Sequence, residues 1–198
     1  MPTVELYYDF RSPYSYFASQ RLTILTDRGA GIVWRPVFVD VLINLQQDRQ
    51  PWDEVLDPLC PPKRQHFMAD IFRMIEYWSI PFQLPSPPRP ACNTAMTIAG
   101  LLEQEGIDHD GFRTAVFQAV WQNQRDAADP SVLADCLAAS GLGPEWTDRA
   151  DSQSREALTE RTCEAYARGV FGVPMFVFDG ECYFGADRME VLATQLPA

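Results

Sequence analysis

Two strand-forming regions stand at opposite ends of this chain, and neither can complete a sheet without the other. Near the start, residues 4–10 (VELYYDF) form a short, mostly apolar run of sheet-favouring side chains, and residues 32–37 (IVWRPV) form a second. Between them Tyr14, Phe17, Leu22 and Leu25 fall on roughly one helical face, and Asp27-Arg28-Gly29 supplies a C-terminal stop at which glycine can take positive φ. Strand, helix and strand packed into so short a stretch predict a right-handed βαβ unit with parallel strands. Near the end, residues 172–178 (GVPMFVF) predict a strand and Asp179-Gly180 a hairpin turn. Tyr183 and Phe184 lie on the returning strand. A last helix follows, carrying Met189, Val191, Leu192 and Leu196.

The intervening sequence predicts helices and proline-rich loops. Residues 41–47 predict a short helix. Residues 50–62, with Pro51, Pro58, Pro61 and Pro62, predict a loop. Residues 63–79 repeat apolar side chains at helical spacing through Phe67, Ile71, Ile75 and Trp78, and the prolines from Pro81 to Pro90 then demand an extended connection. Further helices are predicted over 93–104, 111–122 and 152–167, and over 130–139, where Asp129-Pro130 is a cap-plus-first-turn signal. The order βαβ, helices, ββα is the thioredoxin arrangement interrupted by a helical insertion. The expected organisation is therefore an α/β thioredoxin-like domain made from residues 1–40 and 168–198, with residues 41–167 as a helical insertion domain.

Charge excludes some functions. A net charge of −11 on 198 residues argues against a general nucleic-acid binder or a protein held on anionic membranes, while leaving room for a small anion at a local positive site. The opening Met-Pro-Thr-Val-Glu has no basic stretch, so no signal peptide is expected. No apolar run approaches the roughly 18 residues of a membrane span, and a cytoplasmic protein is expected. Cys60, Cys92, Cys136, Cys163 and Cys182 form no Cys-x-x-Cys pair, and His66 and His109 stand alone. Reduced thiols are expected, with neither a disulfide scaffold nor a metal site.

The chemistry-bearing residues cluster at the terminal segments. Ser12 is placed as an N-cap and Pro13 as the first helical residue, so a hydroxyl sits among unpaired N–H groups at the positive end of a helix dipole. It can hold an anion there, or it can simply cap. In the thioredoxin arrangement the loop Gly172-Val173-Pro174 faces this helix start. If Pro174 is cis, the N–H and C=O of Val173 turn toward Ser12 and can pair with an extended peptide; otherwise Pro174 is only the first residue of an edge strand. Asp187 can cap the last helix or hold a ligand ammonium, with small Gly185 and Ala186 admitting close backbone approach. Cys92 lies near a helix start, where a thiol pKa can fall. Tyr77, Trp78 and Phe82 can line an aromatic pocket or pack in the core.

The segments DFRSPYSYFASQRL and GVFGVPMFVFDGECYFGADRM, with the helical insertion between them, resemble 2-hydroxychromene-2-carboxylate isomerases and their relatives, the kappa-class glutathione transferases. These form part of the DsbA-like branch of the thioredoxin fold, and the resemblance covers essentially the whole chain. Where the redox members open the first helix with Cys-x-x-Cys, this chain has Ser12-Pro13-Tyr14-Ser15, and thiol–disulfide exchange cannot run through two serines. The resemblance implies glutathione as cofactor, with Ser12 as the catalytic residue donating a hydrogen bond to its sulfur. It implies that Val173, beside Pro174, pairs with the cysteinyl backbone, that Asp187 with Ala186 holds the γ-glutamyl end, and that Arg64 or Lys63 stands for a family lysine before the third helix. It further implies an aromatic small-molecule substrate and a homodimer. Kappa-type conjugation and a non-catalytic peptide-binding module are the alternatives. The chain departs from the family where Gln47-Asp48-Arg49-Gln50-Pro51 replaces a Gly-Asn-containing stretch, and where the helix around Asn93-Thr94 lacks the isomerases' usual arginine.

Overall fold

The computed structural model describes residues 1–57 and 59–197; Pro58, read as a loop proline, and Ala198 lie outside the described residues. The two terminal segments do build one sheet. Strand β1 (Thr3–Tyr8) leads through α1 (Pro13–Ser19) and α2 (Thr23–Thr26) to β2 (Gly31–Pro36), which pairs with β1 in parallel from Thr3↔Gly31 to Tyr8↔Pro36. Seven helices follow: α3 (Val39–Leu45), α4 (Pro61–Trp78), α5 (Asn93–Gln104), α6 (Asp110–Trp121), α7 (Pro130–Ala139), α8 (Glu145–Arg149) and α9 (Ser152–Ala167). The chain returns as β3 (Met175–Phe178), antiparallel to β1, and β4 (Glu181–Phe184), antiparallel to β3, giving the strand order β2-β1-β3-β4. A 3₁₀ turn (Ala186–Arg188) and α10 (Met189–Ala193) end it.

The sheet is covered on both faces, and β1 shows why. Side chains alternate across a strand: Val4, Leu6 and Tyr8 enter a large cluster that continues through Phe10, Phe112, Phe117 and Leu137. Tyr7 enters a smaller one with Val37, Leu42, Val173 and Met175. Asp179 (φ +52°) and Gly180 (φ +81°) both take positive φ in the β3–β4 turn, the requirement that makes Asp-Gly a hairpin signal. Asp129 caps α7 as its sequence predicts, accepting the Ser131 N–H at 2.8 Å.

Several boundaries differ from expectation. Pro61 and Pro62, expected in a loop, open α4, where proline's missing N–H costs nothing, and residues 172–174, expected as strand, precede β3. The single helix expected after Ser12 is two, because the ladder tightens where Arg21 N–H bonds back three residues to Ala18 O at 3.1 Å. Continuous apolar spacing hides that break. Phe10 lies beyond β1, in the turn that leads to Ser12. The short α8 has no sequence signal of its own; it forms around buried Trp146. Among the described residues no helix is long and apolar enough to cross a membrane.

Candidate functional site

The site is assembled around the turn that joins β1 to α1. Asp9 leaves the strand buried, its carboxylate accepting N–H bonds from Arg11 (2.9 Å) and Val39 (2.8 Å). Arg11 runs back against it, its Nε donating to Pro90 O at 3.1 Å and its guanidinium pairing with Asp40. Nothing in the spacing of Asp9, Arg11 and Asp40 announces this network. The signal available was a carboxylate closing an apolar strand. Burial pushes the Asp9 pKa up, against the pull of Arg11 and the two N–H bonds.

A raised carboxyl pKa means that the folded chain binds more protons than the unfolded chain over that interval. Stability from Asp9 is therefore fully present below the ordinary carboxylate pKa and lost as pH rises through the folded value. In urea unfolding across a pH series, the stability of the wild type relative to Asp9→Asn is expected to fall with rising pH and then level off. A difference that is flat or rises with pH refutes this sign.

Asp9 O also accepts the Ser12 N–H at 3.0 Å, which sets the start of α1. Ser12 is an N-cap with extended backbone (φ −86°, ψ 118°), and its Oγ accepts the Ser15 N–H at 3.1 Å. The same hydroxyl donates to Val173 O at 3.4 Å, a long bond across 161 residues of chain. The Val173–Pro174 peptide is cis. Val173 N–H donates to nothing among the described residues, so one main-chain donor faces this corner unpaired. Ser15 Oγ is buried and likewise without a partner among the described residues.

The third corner is tied to the second by Gly185 N–H, which donates to Pro174 O at 3.0 Å. Gly185 has φ +105°, a conformation that favours glycine; a Cβ there would lie 2.7 Å from Asp187 Oδ1, a contact that the exposed carboxylate can relieve by turning. Ala186 is fully buried, and its carbonyl accepts from Arg21 Nη1 at 3.0 Å. Asp187 does not cap: neither the 3₁₀ turn nor α10 has a side-chain cap, because Asp187 lies inside the turn. Its carboxylate instead meets Arg188 at 2.8 Å, with more than half of each side chain exposed.

Ser12, Val173, Pro174 and, through the Gly185 bond, Ala186 and Asp187 thus come together. Arg64 does not join them: it is exposed on the first turn of α4 and pairs with Asp57 at 2.6 Å. Its neighbour Lys63 lines a depression of about 420 Å³ beside Tyr14. The possibility of a lowered Cys92 pKa is overturned, since burial pushes that thiol well above its ordinary value. Tyr77 stands 77% exposed, outside the core, while Trp78 and Phe82 pack against Phe17. Among the described residues no group of three His, Cys, Asp or Glu side chains could hold a metal ion.

A family model described as the DSBA-like thioredoxin domain matches residues 3–197. The chain belongs to that family. Within the DSBA-like family it is 30% identical over 199 residues to 2-hydroxychromene-2-carboxylate isomerase of Sphingobium xenophagum, covering 98% of this chain and 97% of that protein. It is 24% identical over 216 residues to human glutathione S-transferase kappa 1, covering 96% of this chain and 89% of that protein. A solved structure of 2-hydroxychromene-2-carboxylate isomerase superposes with a TM-score of 0.71 at 23% identity, over 98% of this chain and 93% of that one, and shows the shared fold. These relatives bear enzyme names. In this DSBA-like chain the start of α1 carries Ser12 and Ser15 and no cysteine, one hydroxyl turned to Val173 and the other buried.

Proposed function

We propose that this DSBA-like protein is a glutathione-dependent isomerase of the 2-hydroxychromene-2-carboxylate type, acting on an aromatic-degradation intermediate. The observation that carries the proposal is the Ser12 hydroxyl poised 3.4 Å from Val173 O at the start of α1, beside an unpaired Val173 N–H. Relatives of that name at 30% identity support it. The residues fit glutathione. The long Ser12 bond is weak enough to yield to a sulfur acceptor, and Val173 offers a strand-like donor and acceptor to a cysteinyl backbone.

When bound, glutathione supplies the thiolate nucleophile that the protein lacks. Ser12 donates to that sulfur, and the first N–H groups of α1 add the positive end of their dipoles, favouring thiolate over thiol. Asp187 takes the γ-glutamyl ammonium by giving up Arg188, a pairing weak enough at that exposure to be exchanged. Buried Ala186 forms the floor on which that end rests. Arg64 can reach an anionic end of the tripeptide only by leaving Asp57, and Lys63 competes for the role.

Isomerisation of 2-hydroxychromene-2-carboxylate, measured with and without glutathione, is expected to depend on it. No turnover in a protein that binds glutathione by calorimetry removes the substrate assignment. Stable conjugates with halogenated aromatics instead point to kappa-type transfer, the reading that the human relative favours. No binding heat at millimolar glutathione points to a non-catalytic module.

A further inference from the structure

Helix α4 is attached to the protein unlike the other long helices. Helix α5 buries seven of its twelve residues, whereas among the 18 described residues of α4 only Ile71 is buried. Proline-rich segments bound it at both ends, through Pro61 and Pro62 and through Pro81. Helices gain most of their stability from tertiary packing, so a helix this poorly buried depends on the few contacts it has.

Polar and aromatic contacts to α4 come from α1 and the turn after it, beside the packing of Ile71 and Ile75 on the main core and of Phe72 on Phe82. Tyr14, two residues beyond Ser12, donates its hydroxyl to Asp70 Oδ2 at 2.7 Å, and its ring meets Phe67 edge-on at 5.4 Å. At the other end Phe17 meets Trp78 at 5.9 Å, and the Arg21 guanidinium lies 3.9 Å from the Trp78 ring centre. Burial first, and then the Asp70 carboxylate, push the Tyr14 pKa well above its ordinary value, so the phenol stays protonated and remains a donor.

The Tyr14–Asp70 bond spans one wall of the 420 Å³ depression, whose other sides are Leu59, Lys63, His66 and Phe67. Every one of these except Tyr14 sits on α4 or on the loop just before it, so the shape of the depression depends on where α4 is held. We propose that Tyr14 and Asp70 form a positioning latch that fixes the first turns of α4 as the wall of a second-substrate pocket that opens at Tyr14, two residues along the chain from Ser12. The bond holds Phe67 against the Tyr14 ring and fixes the orientation of Asp70, whose charged partner among the described residues is Arg73 at 3.7 Å.

The kinetic part of this inference rests on the isomerase reading; the structural part does not. Three variants separate the possibilities: Tyr14→Phe, Asp70→Leu and the conservative Asp70→Asn, whose amide oxygen still accepts from Tyr14. In the full-length protein, Tyr14→Phe and Asp70→Leu are expected to speed amide hydrogen exchange in α4 while leaving β1 and α6 unchanged. They are expected to weaken binding of anilinonaphthalene sulfonate, an anionic aromatic probe, by roughly three- to tenfold, the scale of one lost hydrogen bond. Asp70→Asn restores both. Glutathione affinity by calorimetry stays within about twofold of wild type, and with an active enzyme the loss appears as raised acceptor KM at nearly constant kcat. Unchanged exchange in α4 overturns the latch, as does probe binding that ignores all three variants or falls equally in Asp70→Asn. A wild type that binds no glutathione removes the isomerase reading alone, because exchange and probe binding still judge the latch.

Discussion

Ser12→Ala is expected to lower glutathione-dependent turnover by about 10²- to 10³-fold, the loss found when a preorganised donor to a developing or stabilised anion is removed. The same substitution costs stability only as a lost N-cap, about 0.5–2 kcal/mol, since Ser15 N–H loses its acceptor and can turn to water. The two effects separate the two roles of one oxygen. As an acceptor toward Ser15 it holds the start of α1, and as a donor it is committed only to a 3.4 Å bond with Val173 O. The ultraviolet absorbance of bound thiolate, titrated in wild type and variant, reads the donor role directly: the glutathione thiol pKa should be higher in the variant. Small, matched losses of turnover and stability, with no change in that pKa, would return Ser12 to being a cap.

Trp121→Ala is expected to give the largest loss of stability, about 3–5 kcal/mol from the buried ring, in a fold whose total is on the order of 5–15 kcal/mol. The indole is 1% exposed, stacks on Phe82 at 5.5 Å and on Tyr16 at 6.4 Å, and donates from Nε1 to Phe10 O at 2.8 Å. Phe10 stands two residues before Ser12, so the bond fastens α6 to the turn that presents the site. Trp121→Phe keeps most of the apolar area and loses the donor, and its cost should be nearer the roughly 1–3 kcal/mol of an orphaned buried carbonyl. Urea unfolding of both variants checks the ranking. A Phe variant as unstable as the Ala variant would show that the hydrogen bond outweighs the ring.

Much of the architecture was legible because its signals are local. Short, mostly apolar runs of sheet-favouring side chains marked β1 and β2. Asp179-Gly180, with both residues at positive φ, marked the hairpin. Asp129-Pro130 and Ser12-Pro13 each marked a helix start whose side chain does accept the expected N–H. The break between α1 and α2 was not legible, because the apolar spacing runs through it. The capping role open to Asp187 fails for a related reason: a cap is defined by where the backbone enters the helix, and the chain enters two residues earlier, at Gly185. Cys92 was placed correctly at a helix start, but its burial outweighs any help from the dipole.

The order of apolar runs and turn residues was enough to specify βαβ, helices and ββα, since backbone preferences act over a few residues and are written where they act. It was also enough to place Ser12 at a helix start and to exclude a dithiol there. The partners of each side chain were settled by long-range geometry. Tyr14 meets Asp70 across 56 residues, and Arg11 reaches Asp40 and Pro90 from a different element in each case. Arg64 was claimed by Asp57 while Lys63 took the wall beside Tyr14. Those outcomes depend on how far a side chain reaches once helices have packed, and on which groups packing leaves without water. No spacing in the chain carries that information, because the competing partners are neighbours only after folding.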